Sequence, residues 1–217
     1  GEPSWAAGRN NRGWLRHADA ILSEGGFYYG RVAKSPWKTG AETKLLETQA
    51  AGKPTVVFDA AKQGPWTFST LPPGEISLLF SQTITFQANV WLAICNIPHM
   101  DSEEMAVIAR FNRLITENPD PFFKTSPMAK IALLWPQEAG NFYSGSPVPL
   151  SDFTKEMKAL KAGNTSEEFY GFYDGLSRGH FPFDVLDETA LDENIGRYDL
   201  VILPNATCLK KEATARI

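Results

Sequence analysis

The stretch KPTVVFDAAKQGPW, residues 53–66, runs from an apolar strand into a carboxylate and on to a tryptophan. Thr55 to Phe58 are β-branched or aromatic, which is the composition of a strand covered on both faces. That strand stops at Asp59, and a polar loop leads to Trp66. Three roles are open to the carboxylate: a solvated strand end, a cap for the next helix, or the floor of an active site.

Working outward, DAILSE (19–24) predicts a short strand, and GAETKLLETQAAGK (40–53) a helix stopped by Gly52. PTVVFD (54–59) is the second strand. PPGEISLLFSQTITFQA (72–88) predicts a helix entered through Pro72-Pro73, where proline suits the first turn. VWLAIC (90–95) is a third strand. Asp101-Ser102 cap a helix over EEMAVIARFNRLITEN (103–118), whose first turn is acidic. Continuous apolar strands separated by helices argue for a parallel α/β sheet.

PDPFFKTSP (119–127), with three prolines and no periodicity, reads as a linker. The pattern then restarts. KIALLW (130–135) is a strand, PQEAGNFYSGSPVPLSD a long loop, and SEEFYGFYDGLSRG (166–179) a helix from Ser166 to Gly179. PFDVLDE (182–188) and YDLVILPNAT (198–207) are strands, and KKEATARI opens another helix. This is the order of an open, flavodoxin-like sheet. The expected domains are 1–124 and 125–217, in a chain expected to be a piece of a longer protein.

The 217 residues are 43% apolar and 21% charged, with a formal net charge of −4. That describes a globular chain, and the absence of a Lys/Arg cluster argues against nucleic acid or an anionic membrane as partner. No apolar run approaches the ~20 residues of a membrane span. The opening GEPSWAAGRNNRGW has no charged-then-apolar leader pattern, and cytoplasmic, periplasmic and secreted locations are not distinguished. Cys95 and Cys208 each end a predicted strand and read as buried free thiols. His17, His99 and His180 have no paired spacing, so neither a metal nor another cofactor is expected.

The first three strands finish in Ser23-Glu24, in Asp59, and in Cys95-Asn96 with His99 beyond. In a (β/α)₈ barrel the C-terminal strand ends form the active-site mouth, supplied by several strands at once. Glu24 and Asp59 are therefore expected to point into one crevice. Trp37 and Trp66 would wall it for a sugar ring, with Tyr28 on the rim loop GGFYYG (25–30) and Asn96 and His99 as further contacts. Two carboxylates in an aromatic-walled pocket are the arrangement of a glycoside hydrolase. The plainer reading stands beside this one: strand-end carboxylates also cap helices or face water, and tryptophans also pack. Cys208 reads as structural, since NATCLK lacks the glycines of a tight nucleophile turn.

PTVVFDAAKQGPW followed by LPPGEISLLFSQTITFQANVWLAI resembles the last third of the barrel in family-42-type β-galactosidases. KIALLWPQEAGNFYSG, EEFYGFYDGLSRGHFPFDVLDE and YDLVILPNATCLKKEA resemble the β-galactosidase trimerisation domain, a glutamine-amidotransferase-like α/β fold without the amidotransferase nucleophile. The resemblance covers nearly the whole chain. It implies the C-terminal part of a (β/α)₈ TIM barrel followed by the first part of a flavodoxin-like domain, in a homo-oligomer acting on a β-linked sugar. It also implies that Asp59 is the retaining nucleophile, Glu24 a strand-six acid at the sugar, and Trp66 the aromatic beside the nucleophile. The family nucleophile is Glu, and Asp draws the carboxylate back from the ~5–5.5 Å separation that a retaining pair needs. The family's general acid lies on an earlier strand not present here, so this chain alone is expected to be inactive. Its unpaired strand edges are expected to drive association. The competing reading is a non-catalytic carbohydrate-binding or assembly protein on a degenerate glycosidase scaffold. An unrelated α/β sensor module is weaker, because no phosphate-cradling loop appears.

Overall fold

The computed structural model describes residues 11–27, 36–61, 70–94, 101–123, 125–142, 165–215 and 217. The chain forms two compact units, with the divide between Ser126 and Pro127. Each is a mixed α/β unit built on a three-stranded parallel sheet.

A short helix, α1 (Asn11–Leu15), precedes the first sheet but belongs to the second unit. The tie is ionic. Arg12 donates from Nε and Nη2 to the two carboxylate oxygens of Asp187, at 3.0 and 2.9 Å. The expected first domain, 1–124, therefore differs from the first unit, which gathers residues 19–126.

In the first unit β1 (Ile21–Phe27), α2 (Lys38–Gln49), β2 (Thr55–Ala60), α3 (Pro73–Thr85), β3 (Asn89–Ala93) and α4 (Glu103–Glu117) follow one another. The strands lie in sequential order, β1-β2-β3. Pro73 enters α3 at its first turn, and Ser102 Oγ caps α4 by accepting from Met105 N at 3.3 Å. Ile76, Leu79, Phe80 and Ile84 of α3 pack with Ala61, Leu71 and Phe111, and Phe80 stacks on Phe111 with centroids 5.0 Å apart. Part of the expected linker is folded: α5 (Asp120–Phe123) makes one helical turn, and Gln87 Nε2 donates to Thr125 O at 3.0 Å. Four residues are too few to leave a periodic signal.

The second unit carries β4 (Ile131–Leu134), α6 (Gln137–Phe142), α7 (Thr165–Arg178), β5 (Phe183–Leu186), α8 (Glu188–Asn194), β6 (Leu200–Ile202) and α9 (Lys211–Thr214). Its sheet order is β5-β4-β6. The first part of the expected long loop is α6; residues 143–164 lie outside the described residues. The strand expected over 182–188 stops at Leu186, because Asp187 is the N-cap of α8. The strand expected over 198–207 is only three residues long. At the end of α7 the left-handed residue is His180 (φ 56) rather than Gly179. Phe181 N closes back on Leu176 O at 3.0 Å, and a Cβ on Gly179 would stand 2.8 Å from the Phe181 ring. Phe169, fully buried, sits edge-on to Trp135 with ring centroids 4.8 Å apart.

Candidate functional site

Along β2 the burial alternates: Thr55, Val57 and Asp59 are buried, while Val56 and Phe58 are half-buried. Side chains of successive strand residues point to opposite faces. Asp59 shares the face of Val57 and is 0% exposed. That face lies under the helices. Thr83 of α3 donates from Oγ1 to Asp59 Oδ2 at 3.0 Å. On the β1 side the carboxylate has room because residue 25 is glycine. A Cβ there would lie 2.5 Å from Val57 Cγ1, 3.5 Å from Thr39 Cα and 3.6 Å from Asp59 Oδ1.

A buried polar cluster surrounds it. Ser23 Oγ donates to Glu42 Oε2 at 2.9 Å, and Lys38 Nζ meets Glu42 Oε1 at 3.0 Å. Gln82 accepts from Gly40 N and donates to Pro36 O, both at 2.9 Å. Burial raises the Asp59 pKa from 3.8 to about 7. The Thr83 hydroxyl pulls it down, Glu42 pushes it further up, and Thr39 and Lys38 lower it.

Glu24 stands on the other face. It pairs in register with Phe58, whereas Asp59 pairs with Gly26 across a bulge that follows Glu24. In-register partners in a parallel sheet share a face, so Glu24 lies with Phe58 and is exposed. The expected crevice shared by Glu24 and Asp59 is not formed: the sheet separates the two carboxylates. Phe58 in turn pairs with Trp91, 56% exposed, and the two rings meet edge-on with centroids 5.1 Å apart. Glu24, Phe58 and Trp91 thus form one row across three strands, on a face that no described helix covers at Trp91. Glu24 is the sole carboxylate on that face of β1, β2 and β3.

Trp37 is half-buried at the start of α2, where its carbonyl accepts from Ala41 N at 2.9 Å. It serves as a helix-entry residue. Tyr28, Trp66, Asn96 and His99 lie outside the described residues, as does Cys95. Cys208 is a free thiol, half-buried and several residues beyond β6, rather than a buried strand end. No described helix is long and apolar enough to cross a membrane, and no described group of three or more His, Cys, Asp or Glu residues could hold a metal ion.

In the second unit the strand-end acids are engaged with their own fold. Asp187 Oδ1 accepts from Ala190 N at 2.7 Å as the α8 cap, while both its oxygens hold Arg12. Glu188, 3% exposed, accepts from Glu138 N at 3.0 Å. Burial raises its pKa to about 7, opposed by the amides of Glu138 and Glu188 and reinforced by Asp187 and Glu138. Lys210 Nζ pairs with Glu138 at 3.3 Å.

Two cavities, of about 250 and 370 Å³, open in the first unit near the beginnings of β2 and β3, and neither is lined by Glu24 or Asp59. Sequence reasoning missed Phe58 and Trp91, although strand parity places Phe58 on the face opposite Asp59. It also missed Thr39, Glu42 and Thr83, whose signal is a polar residue on the core side of a helix. Among known proteins, the chain matches no protein-family model and no curated protein.

Proposed function

We propose that the chain is a carbohydrate-binding part of a glycoside-hydrolase-like protein, with a (β/α)₈-type first unit and a flavodoxin-like second unit, and that it holds a β-linked sugar without cleaving it. The observation that carries this reading is the row Glu24–Phe58–Trp91 on the open sheet face. An exposed indole offers a flat apolar surface to the C–H face of a sugar ring, and an adjacent carboxylate accepts from its hydroxyls. The sequential parallel order β1-β2-β3 is compatible with a barrel segment, and the order β5-β4-β6 with a flavodoxin-like sheet. Glycoside cleavage needs two carboxylates about the scissile bond, and Glu24 has no second one on its face of these strands. Asp59, the residue that the resemblance makes nucleophile, is fully buried on the other side.

The test is titration of the protein with methyl β-galactoside, observed at the Trp91 indole N–H by NMR. Binding should shift that resonance, and titration calorimetry should show Trp91→Ala and Glu24→Gln each weakening affinity about tenfold, roughly 1.4 kcal/mol. No shift at saturating sugar sinks the reading. The exposed Glu24 keeps a second reading open, a retaining hydrolase that uses Glu24 rather than Asp59. Covalent labelling of Glu24 by a 2-deoxy-2-fluoro glycoside would select it.

A further inference from the structure

We propose that the cavity of about 250 Å³ in the first unit binds a small, neutral, fused-ring aromatic molecule that donates a hydrogen bond, of the indole class. Four elements wall it: α3, α4, α5 and the start of β3. Its apolar lining is Phe80 and Ile84 of α3, Val90 of β3, Ile115 of α4, and Phe122 and Phe123 of α5. Phe80 and Ile84 belong to the buried core, and Phe111 stacks on Phe80 and fixes that ring. Ala88 adds only a methyl group, which leaves the space open. Gln87, left-handed at φ 65, turns the chain from α3 into β3, and its Nε2 donates to Thr125 O at 3.0 Å. That bond ties the chain just past α5 to the turn, so the walls are set before any ligand arrives.

Size, charge and hydrogen bonding each narrow the ligand. An apolar cavity of about 150 Å³ holds a benzene ring, so this one has room for two fused rings. No Asp, Glu, Lys or Arg is among the described residues that line it, whereas Glu47 and Lys53 line the second cavity. A charged ligand would leave water with nothing opposite to meet it, so the site selects a neutral one. The polar part of the wall is Asn89, Asn112 and Thr116. Thr116 Oγ1 donates to Asn112 O at 2.8 Å, which commits its only proton. Asn89 Nδ2 donates to Thr55 O at 3.0 Å, and its carbonyl oxygen has no donor among the described residues. The Asn112 amide, on exposed α4, is free to turn its oxygen inward. Such a wall is rich in lone pairs, and a ligand N–H or O–H satisfies them. Neither Trp91 nor Glu24 lines this cavity, so the site is separate from the proposed sugar row.

Titration of the protein with indole, followed at the isoleucine and valine methyl groups by NMR, tests the assignment. Saturable shifts are expected at Ile84, Val90 and Ile115, with the Trp91 indole resonance unmoved. A titration without saturation, or shifts centred on Trp91 instead, would overturn it. Quinoline has two fused rings of similar apolarity and is uncharged at neutral pH, but its nitrogen accepts rather than donates. It should bind about tenfold more weakly than indole, and equal affinity would refute the donor requirement and the proposed class with it. Phe123→Ala removes a wall that is already 48% exposed, so the fold should survive while indole affinity drops about tenfold. Unchanged affinity in that variant would place the ligand elsewhere and overturn the proposal. Sugar binding is read separately at Trp91 with methyl β-galactoside, so the failure of either reading leaves the other standing.

Discussion

Asp59 and Asp187 close similar stretches, TVVFD in the first unit and FDVLD in the second, and both follow a buried parallel strand. Asp187 is followed at once by α8, so its carboxylate can reach Ala190 N as a cap, and Arg12 neutralises its charge. After Asp59 the strand continues to Ala60, and the next described helix starts at Pro73, out of capping reach. No described guanidinium stands opposite Asp59, and Lys38, paired with Glu42, only partly offsets the burial that makes protonation the cheaper state. The same residue after a similar strand thus becomes an ion-paired cap in one unit and a buried acid in the other. What separates them is the position of the following described helix and a guanidinium bonded directly to the carboxylate.

The largest expected effect is a loss of stability as pH rises. Because the folded pKa of Asp59 lies above its ordinary value, the native state keeps a proton that the unfolded chain releases. The stabilisation is full below about pH 4 and is lost as pH climbs through about 7, on the order of 4 kcal/mol. Glu188 adds a loss of the same sign in the second unit. Urea unfolding across this range should show the fall in the wild type, about half of it in Asp59→Asn, and none in the double variant with Glu188→Gln. A steep fall surviving in the double variant would break the contrast between buried acid and paired cap.

Next in size is Asp187→Ala, which removes a cap and both bonds to Arg12. It should cost about 2–4 kcal/mol by urea unfolding at neutral pH. Asp187→Asn keeps the cap acceptor and should lose less than Asp187→Ala. Gly25→Ala tests the space that Asp59 occupies. Its Cβ would collide with Val57 Cγ1, and a loss of about 1–3 kcal/mol in thermal unfolding is expected. The smallest effect is Thr83→Val, which deletes one hydrogen bond to Asp59 and should cost about 1 kcal/mol at pH 5.

Much of the local structure was legible in the residues. The Ser102 cap, the Pro72-Pro73 entry and the continuous apolar strands act through nearest neighbours, and helices and strands formed around them. The short helices α5, α6 and α8 were not, since four to seven residues leave no periodicity to read. The candidate site was harder still. Parity along β2 sets Phe58 against Asp59 and could have been counted. The face of Glu24 relative to Asp59 could not, because it depends on interstrand register and on a bulge between Glu24 and Gly26.

By itself the sequence determined that strands and helices alternate and that acids stand at the strand ends, because those features depend on local periodicity and capping chemistry. Only the tertiary structure decided which side of the sheet each acid occupies, and so whether it meets water, a cation or a hydroxyl. A register shift of one residue turns a side chain to the other face, and the apolar contacts that choose the register come from elements distant in the chain.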